Sequence, residues 1–317
     1  MRWWIAVVFA FALASAQAQN FPHKPIRLIV PFGVGGPGDA IGRMLGKQLT
    51  ESLGYPVVID NRSGATTIIG TEITAKSPPD GHTLLLISTT HAVNPSLFPK
   101  LPYDPIKDFA PVTLVTATPF MLTVHPSVAA HNVAEFVALG RGQGRSLNYG
   151  SSGAGSSIHL TTELLKAAAN MPMTHVPYKG SGPAFIDLMA GHIQVLFSST
   201  VSSMPHVKTG KVRGLAITSL KRAAALPDIP TISETYAGFE SSSWFGLLAP
   251  AKTPKAVVDR LLNDTRTALR STEMRQALVS QGAEPGGLSS AEFANYFQAE
   301  IRKWAGVVKS AGVRLEQ

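Results

Sequence analysis

The sequence predicts an α/β fold arranged in two lobes, and three observations carry that prediction. The chain has 317 residues, which is long enough for two modest hydrophobic cores. Hydrophobic residues make up 44% of it and charged residues 15%, so an intrinsically disordered chain, which is poor in apolar residues and rich in charge, is excluded. Short β-branched segments alternate with segments of helical spacing, which is typical of parallel sheets flanked by helices.

In the first lobe, predicted strands and helices alternate along the chain. Strands are predicted at residues 26–32, 56–60 and 82–87, and helices at 39–53 and 68–75. A proline-rich connection over residues 94–111 then leads to the second lobe.

The second lobe repeats the same alternation. Its strands are predicted at 121–124, 147–150, 175–178, 193–197 and 212–218, and its helices at 133–139, 157–169 and 183–190. A strand at 244–249 and helices at 254–269, 273–280 and 291–309 complete the chain. Crossings near residues 116–119 and 219–223 are the expected hinges. Lobe 1 is therefore assigned residues 19–117 and 221–317, and lobe 2 residues 118–220, with a cleft between them.

The amino terminus predicts an export signal. Arg2 is the only charge before an apolar run over residues 3–14, which leads into the small-residue site Ala16-Gln17-Ala18. The run is shorter than the ~20 apolar residues that a spanning helix needs, so a membrane anchor is disfavoured. We expect a signal peptide over residues 1–18, cleavage after Ala18 and a soluble protein in the periplasm.

Charge and residue counts exclude several classes of protein. The 28 Lys and Arg against 20 Asp and Glu give a net charge of +8, which favours anionic partners, but no basic stripe of the kind that binds nucleic acid is present. The absence of cysteine excludes disulfides and thiolate chemistry. The nine histidines lack metal-ligand spacing such as H-E-x-x-H, so we expect neither a metal site nor a cofactor.

The first glycine-rich segment, residues 31–39, lies between a predicted strand and a predicted helix. Glycines allow a ligand to approach the backbone closely, and the amides at a helix start favour an anion. The spacing Gly33-x-Gly35-x-x-Gly38, with Asp60 at the end of the next strand, also fits a dinucleotide-binding fingerprint. An NAD-dependent oxidoreductase is therefore an alternative, which Pro37 and the export signal weaken.

Asp39 closes this first segment and has two interpretations. It is either a helix N-cap paired with Arg43 one turn later, or a polar group that faces the cleft. We keep it as a candidate ligand-binding residue.

The second glycine-rich segment, residues 149–157, contains four serines before a helix. Hydroxyls and amides at a helix start suit a carboxylate without any cation. Around Ser152 the pattern G-x-S-x-A approximates a nucleophile elbow, so a secreted serine hydrolase is a second alternative. Its acid would be Asp187 or Asp228 and its base His192 or His206.

Polar residues also follow other predicted strands, where ligands of open α/β sheets bind. These segments are Ser-Thr-Thr-His at 88–91, Tyr-Lys-Gly-Ser at 178–181 and Phe-Ser-Ser-Thr at 197–200. Ser199 is a candidate ligand-binding residue from the last of them.

Many ordered segments match one known family. They lie at residues 31–32, 35–36 and 39, 61–65, 80–83, 101–104, 149–156, 159–160, 176–180, 226–231, 244–247 and 249–250. From about residue 25 to its end, the chain resembles the substrate-binding proteins of tripartite tricarboxylate transporters, the Bug/TctC family.

The resemblance implies a two-lobed periplasmic binding protein of type II-like fold, which closes over a small organic carboxylate and is not an enzyme. Carried over from the family, the ligand-binding residues are Phe32, Gly33, Gly35, Gly36, Ser88, Thr89, Ser151, Gly155 and Ser156. The implied partners are a membrane permease or a signalling sensor, with the receptor itself a monomer. Thr67 stands where the family usually has glycine, and Ala154 where polar residues are common. Which carboxylate is recognised stays open.

Overall fold

The computed structural model of the chain describes residues 21–142, 147–223, 226–280 and 282–313, and the predicted signal peptide lies outside these ranges. The strands are β1 (Ile26–Val30), β2 (Val57–Asn61), β3 (Thr83–Ser88), β4 (Phe109–Val124), β5 (Leu147–Ser151), β6 (Met173–Pro177), β7 (Val195–Ser199), β8 (Arg213–Ile217), β9 (Ser242–Pro250) and β10 (Glu284–Pro285). The helices are α1 (Pro37–Leu53), α2 (Ile68–Ala75), α3 (Thr89–Leu97), α4 (Val133–Arg141), α5 (Ser157–Ala169), α6 (Ser181–Ala190), α7 (Thr200–Lys208), α8 (Lys255–Arg270), α9 (Thr272–Ser280) and α10 (Ser290–Ala311). Within the described ranges, no helix has the length and apolar character needed to cross a membrane.

The α/β fold class is confirmed, and the strands form one mixed sheet in the order β2-β1-β3-β9-β4-β7-β5-β6, with β8 and β10 added to β4. In the first half, β1 pairs in parallel with β2 and β3. In the second half, β5 pairs in parallel with β6 and β7. The expectation of mostly parallel sheets needs correction, because β9 is antiparallel to β3 and β4, and β4 is antiparallel to β7 and β8. The chain leaves the first half through β4 and returns through β9, so these neighbouring strands run in opposite directions.

Strand β4 belongs to both halves of the sheet. Its residues 109–119 pair with β9, and its residues 120–124 pair with β7. The sequence predicted a proline-rich connection over residues 94–111 and a hinge at the lobe crossing near residues 116–119, where this strand runs. Proline is tolerated here next to irregular pairing, and the register between β4 and β9 shifts at Pro111/Thr113 and Leu114/Thr116.

Two helices were missed from the sequence, α3 and α7. Each contains an internal proline, Pro95 and Pro205, and each is rich in Ser and Thr, so the segments resemble loops. Both helices begin directly at the end of a strand, with Ser88 and Ser199 as their N-caps. The start of each of these two helices therefore sets the direction of the polar side chains at the strand ends.

The last helix, α10, is fixed to β9 through a buried polar contact. The Nε1 atoms of Trp244 and Trp304 donate to Oε2 of Glu300 at 2.8 and 2.9 Å. All three side chains are buried, and Phe297 packs beside them.

Candidate functional site

A cavity of about 210 Å³ lies between the strand-end loops of the two halves of the sheet. Its lining residues are Thr66, Thr89, Thr90, Val93, Leu97, Ser152, Gly153, Ala154, Gly155, Ser156 and Ser157. Six of these residues carry a hydroxyl and none carries a charge. The cavity can therefore offer hydrogen bonds to a polar group at one place and apolar contact with Val93 and Leu97 at another.

The first glycine loop is organised by Asp39. Its carboxylate accepts hydrogen bonds from the Gly35 amide at 2.9 Å, Arg43 Nε at 3.0 Å and Asn61 Nδ2 at 3.0 Å. These donors, Arg43 first, lower the pKa of Asp39 to about 2. The pairing with Arg43 is as expected, but the N-cap of α1 is Gly36, because the helix begins at Pro37. The carboxylate of Asp39 is thus turned towards its own loop.

The other residues of the first glycine loop differ in how closely neighbouring atoms pack around them. The ring of Phe32 packs edge-on against Phe245 with centroids 5.7 Å apart. A Cβ on Gly38 would lie 2.3 Å from that ring, so this glycine is required by packing. Gly33 has no atom within 4 Å of the corresponding position, and Gly36 has only the Gly33 carbonyl, at 3.5 Å. None of the loop residues lines the 210 Å³ cavity.

Ser88 and Thr89 connect β3 to α3. The hydroxyl of Ser88 caps the helix by accepting from the Thr90 amide at 3.3 Å. The hydroxyl of Thr89 donates to the Ser242 carbonyl at 3.3 Å and accepts from the Trp244 amide at 3.1 Å, so it ties α3 to β9. Thr89 lines the cavity and Ser88 does not.

A strained turn before α2 forms another part of the cavity wall. Ala65, Thr66 and Thr67 have φ angles of 43°, 52° and 74°, in the left-handed region that glycine favours. Asn94 Nδ2 holds the turn by donating to the Thr66 carbonyl at 2.8 Å. Thr89 was predicted from the sequence, but Thr66 and the wall residues Val93 and Leu97 of α3 were not. The available signal was Thr67, which replaces the usual glycine of the family next to this position.

The second glycine loop forms the opposite wall and leads into α5. Ser156 is the N-cap, and its hydroxyl accepts from the His159 amide at 3.2 Å. The amides of Ser157 and Ile158, in the first turn of α5, have no intrahelical acceptor. Gly155 and Ser156, two of the predicted ligand-binding residues, line the cavity. Residues 152–154 and 157 line it as well. The start of a long helix and several hydroxyls thus face the same space.

Ser151 is in a different position from these loop residues. It is fully buried, and its hydroxyl lies 2.6 Å from His175 Nε2 and 3.1 Å from both the carbonyl and the amide of Gly153. The hydroxyl therefore supports the loop from below and does not line the cavity.

Aromatic rings are stacked beneath this loop. The rings of His159 and His175 are parallel within 7° with centroids 3.9 Å apart, and the Tyr149 ring stacks on His175 at 4.9 Å. Tyr149 also donates its hydroxyl proton to Glu163, which accepts from Lys166 Nζ at 2.7 Å. Burial lowers the pKa of both histidines, that of His159 to about 4, so both rings are neutral at pH 7.

Ser199 caps α7 and lies outside the cavity. Its hydroxyl is 2.8 Å from the Ser202 hydroxyl and accepts from the Ser202 amide at 3.2 Å. The next residue, Thr200, lines a separate apolar cavity of about 600 Å³ that also includes Pro119 and Pro285. The structure thus does not bring Ser199 together with the other predicted residues.

The structure does not bring together the residues that the serine hydrolase alternative needs. Asp187 accepts from the Tyr178 hydroxyl at 2.7 Å and contacts His192 Nδ1 at 3.3 Å. Within the ranges described, no hydrogen bond joins Ser152 to a histidine, and the serine that does meet one, Ser151, is buried. A nucleophile needs a base within hydrogen-bond reach and access to substrate.

The dinucleotide alternative fails at its acidic residue. Asp60 accepts from Arg27 Nε at 2.5 Å and from Arg62 Nε at 2.9 Å. Both carboxylate oxygens are thus occupied by guanidinium groups, whereas the fingerprint needs this residue for a ribose hydroxyl. Gly38 is explained by its contact with Phe32.

Comparisons with known proteins agree on one family. The family model described as "Tripartite tricarboxylate transporter family receptor", TctC, matches residues 41–313. Protein BugT of Bordetella pertussis is 36% identical over 315 residues, which cover 98% of this chain and 97% of BugT.

Solved structures of relatives extend the comparison to the fold. The R. palustris protein Rpa4515, solved with adipate, is 37% identical with a TM-score of 0.75, covering 93% of this chain and 100% of that one. MatC (Rpa3494) from Rhodopseudomonas palustris, with bound malate, is 32% identical with a TM-score of 0.71, covering 91% and 100%. The two-lobed fold of periplasmic solute-binding proteins is thereby confirmed. The chain belongs to the tripartite tricarboxylate transporter receptor family, whose members are substrate-binding receptors and not enzymes.

Proposed function

We propose that this chain is a periplasmic receptor that captures a small organic carboxylate between two lobes and delivers it to a tripartite permease. The observation that carries the proposal is the uncharged cavity whose wall includes six hydroxyl residues and the start of α5. Amides at a helix start and hydroxyls can bind a carboxylate without a cationic partner. The adipate and malate bound by the two solved relatives support this class of ligand.

The carboxylate is held, in this proposal, by the amides of Ser157 and Ile158 and by the hydroxyl groups of the second loop. The first lobe contributes the hydroxyl of Thr90 and the contact surface of Thr89, whose own hydroxyl proton is donated to the Ser242 carbonyl. The glycines of the first loop close over the ligand's other end. An affinity near 1 μM corresponds to about −8 kcal/mol. Several charge-assisted hydrogen bonds of about 1.5–3 kcal/mol each supply this after ordering costs.

Closure is proposed to occur about the crossing strands and the connection near residues 219–223, between lobe 1 (19–117 and 221–317) and lobe 2 (118–220). Expulsion of water strengthens the bonds to the carboxylate, and a ligand that touches both lobes shifts the population to the closed state. The receptor acts as a monomer that delivers its ligand to the permease, and a signalling sensor is a second candidate partner.

Calorimetric titration tests this function. The protein is unfolded, freed of retained ligand, refolded and titrated with a panel that includes adipate, malate, citrate, acidic amino acids and aromatic acids. We expect at least one to bind, and small-angle scattering to show a smaller radius of gyration in its presence. A panel without binding, or turnover of an acid into product, contradicts the proposal.

Export is tested separately by intact mass. Expression of the full chain in a bacterium should yield a periplasmic protein that lacks residues 1–18. A retained leader, or a product found in the cytoplasm, contradicts the proposed location.

A further inference from the structure

The side chain of His159 makes a specific contact with the loop that lines the cavity. Its Nδ1 accepts a hydrogen bond from the Gly155 amide at 3.0 Å, and its own amide donates to the Ser156 hydroxyl at 3.2 Å. Gly155 and Ser156 both line the cavity, whereas His159 is buried and does not line it. One residue thus holds two consecutive cavity residues from below.

The surroundings of the ring decide where its proton lies. An imidazole nitrogen that accepts from an amide must be unprotonated. The other nitrogen, Nε2, is 4.0 Å from Glu163 Oε1, so its proton faces a carboxylate that also binds Lys166 and Tyr149. One face of the His159 ring stacks on the His175 ring. The neutral tautomer with the proton on Nε2 leaves Nδ1 free to accept from the Gly155 amide and places the proton on the side of the Glu163 carboxylate.

We propose that His159 is a positioning residue for the ligand site, acting through its unprotonated Nδ1. The bond to the Gly155 amide fixes the plane of the Ala154–Gly155 peptide, where the φ of Gly155 is +73°. A peptide plane fixes both its N–H and its C=O direction. The wall that receives the carboxylate is therefore set by a side chain that never touches the ligand. This inference rests on the proposed function.

Two substitutions separate the hydrogen-bond acceptor from the stacked ring. His159→Asn places an amide oxygen near the position of Nδ1 and gives up the ring. His159→Phe keeps an aromatic ring against His175 and gives up the acceptor. His192→Phe, at an exposed histidine, is the control for the His-to-Phe change itself.

Calorimetry with adipate and malate gives the first readout. We expect His159→Phe to weaken affinity roughly tenfold, about the equivalent of one hydrogen bond, and His159→Asn to remain within about threefold of the wild type. The reverse order, with Phe close to wild type and Asn weak, means that the ring acts only by packing and overturns the proposal.

Nitrogen-15 NMR of histidine-labelled wild-type protein gives a second readout that needs no ligand. The His159 signals are assigned by their absence from His159→Asn. At pH 7 we expect an unprotonated Nδ1 and a protonated Nε2. A proton on Nδ1, or a cationic ring, overturns the proposal whether or not any carboxylate binds. Absence of binding together with the expected tautomer counts against the proposed function alone.

Discussion

Thr67 carries a backbone conformation that costs energy for a β-branched residue. Its φ of 74° lies in the left-handed region, and its buried hydroxyl oxygen is without a hydrogen-bond partner among the described residues. Glycine, which the family usually has here, would remove both penalties. We infer that this chain tolerates strain in the turn that carries Thr66 into the cavity wall.

Replacement of Thr67 by glycine should stabilise the protein. Relief of roughly 1–2 kcal/mol of left-handed strain exceeds the backbone entropy cost of glycine, roughly 0.5–1 kcal/mol. Urea unfolding should therefore show a gain of about 1 kcal/mol. Thr74→Gly, in the right-handed backbone of α2, is the matched control and should be destabilising. A loss of stability in Thr67→Gly would show that the turn is not strained.

Gly36 offers a direct test of where the first loop lies relative to the ligand. Its φ of −81° suits any residue, and a Cβ there has only one neighbour, at 3.5 Å. We expect Gly36→Val to fold with a stability near that of the wild type and to lose at least tenfold in affinity for whichever panel acid binds. Gly306→Val, on the exposed face of α10 with open space around it, is the control and should bind normally. Normal binding by Gly36→Val would remove the first loop from the proposed site.

Helix α10 contacts β9 through one buried carboxylate in addition to apolar packing. Glu300 accepts from two buried indole N–H groups, and each buried donor left without an acceptor costs about 1–3 kcal/mol. We expect Glu300→Leu to lower the free energy of unfolding by about 3 kcal/mol, measured with urea. Glu300→Gln keeps one acceptor oxygen and should lose less. Equal stability of the leucine variant and the wild type would refute this account of the contact.

At the level of helices and strands, periodicity predicted most of the fold, and its failures have physical causes. The helix over Ile68–Ala75 was predicted with its observed bounds. Helices α3 and α7 were missed because each contains an internal proline, which in a sequence indicates a loop. Packing against the sheet, which favours the helix, cannot be read from the local sequence. Only residues 121–124 of β4 were predicted, since its first part is specified by pairing with a strand more than a hundred residues away.

The sequence predicted which loops form the candidate site, but it did not predict the directions in which their side chains point. Glycine and serine patterns identified the second loop, and Gly155 and Ser156 line the cavity. The inward turn of the Ser151 hydroxyl depends on His175, which is 24 residues away in sequence. The same holds for Thr89, whose hydroxyl bonds to β9 across the sheet. Contacts made by the tertiary fold leave no pattern in the local sequence.

Buried neutral histidines give the whole molecule a predictable response to acid. His91 and His159 are buried, and burial lowers the pKa of each to about 4, compared with about 6.5 in an unfolded chain. Well above pH 6.5 neither state is protonated, so these groups leave stability unchanged there. Between pH 6.5 and pH 4 the unfolded chain binds the protons that the folded protein excludes. Stability must therefore fall as the pH decreases through this window.

Each of these two histidines should contribute about 1.4 kcal/mol of lost stability per pH unit near pH 5, where one proton is taken up on unfolding. Urea unfolding at several pH values between 7 and 4.5 measures this slope. In His159→Asn the slope should decrease by about one proton relative to the wild type. The carboxylate of Asp39, whose pKa is lowered to about 2, adds to the loss of stability mainly below pH 4, where the unfolded carboxyl takes up a proton that the folded one excludes. An unchanged slope in His159→Asn would mean that the ring is already protonated, or reaches solvent, in the folded protein.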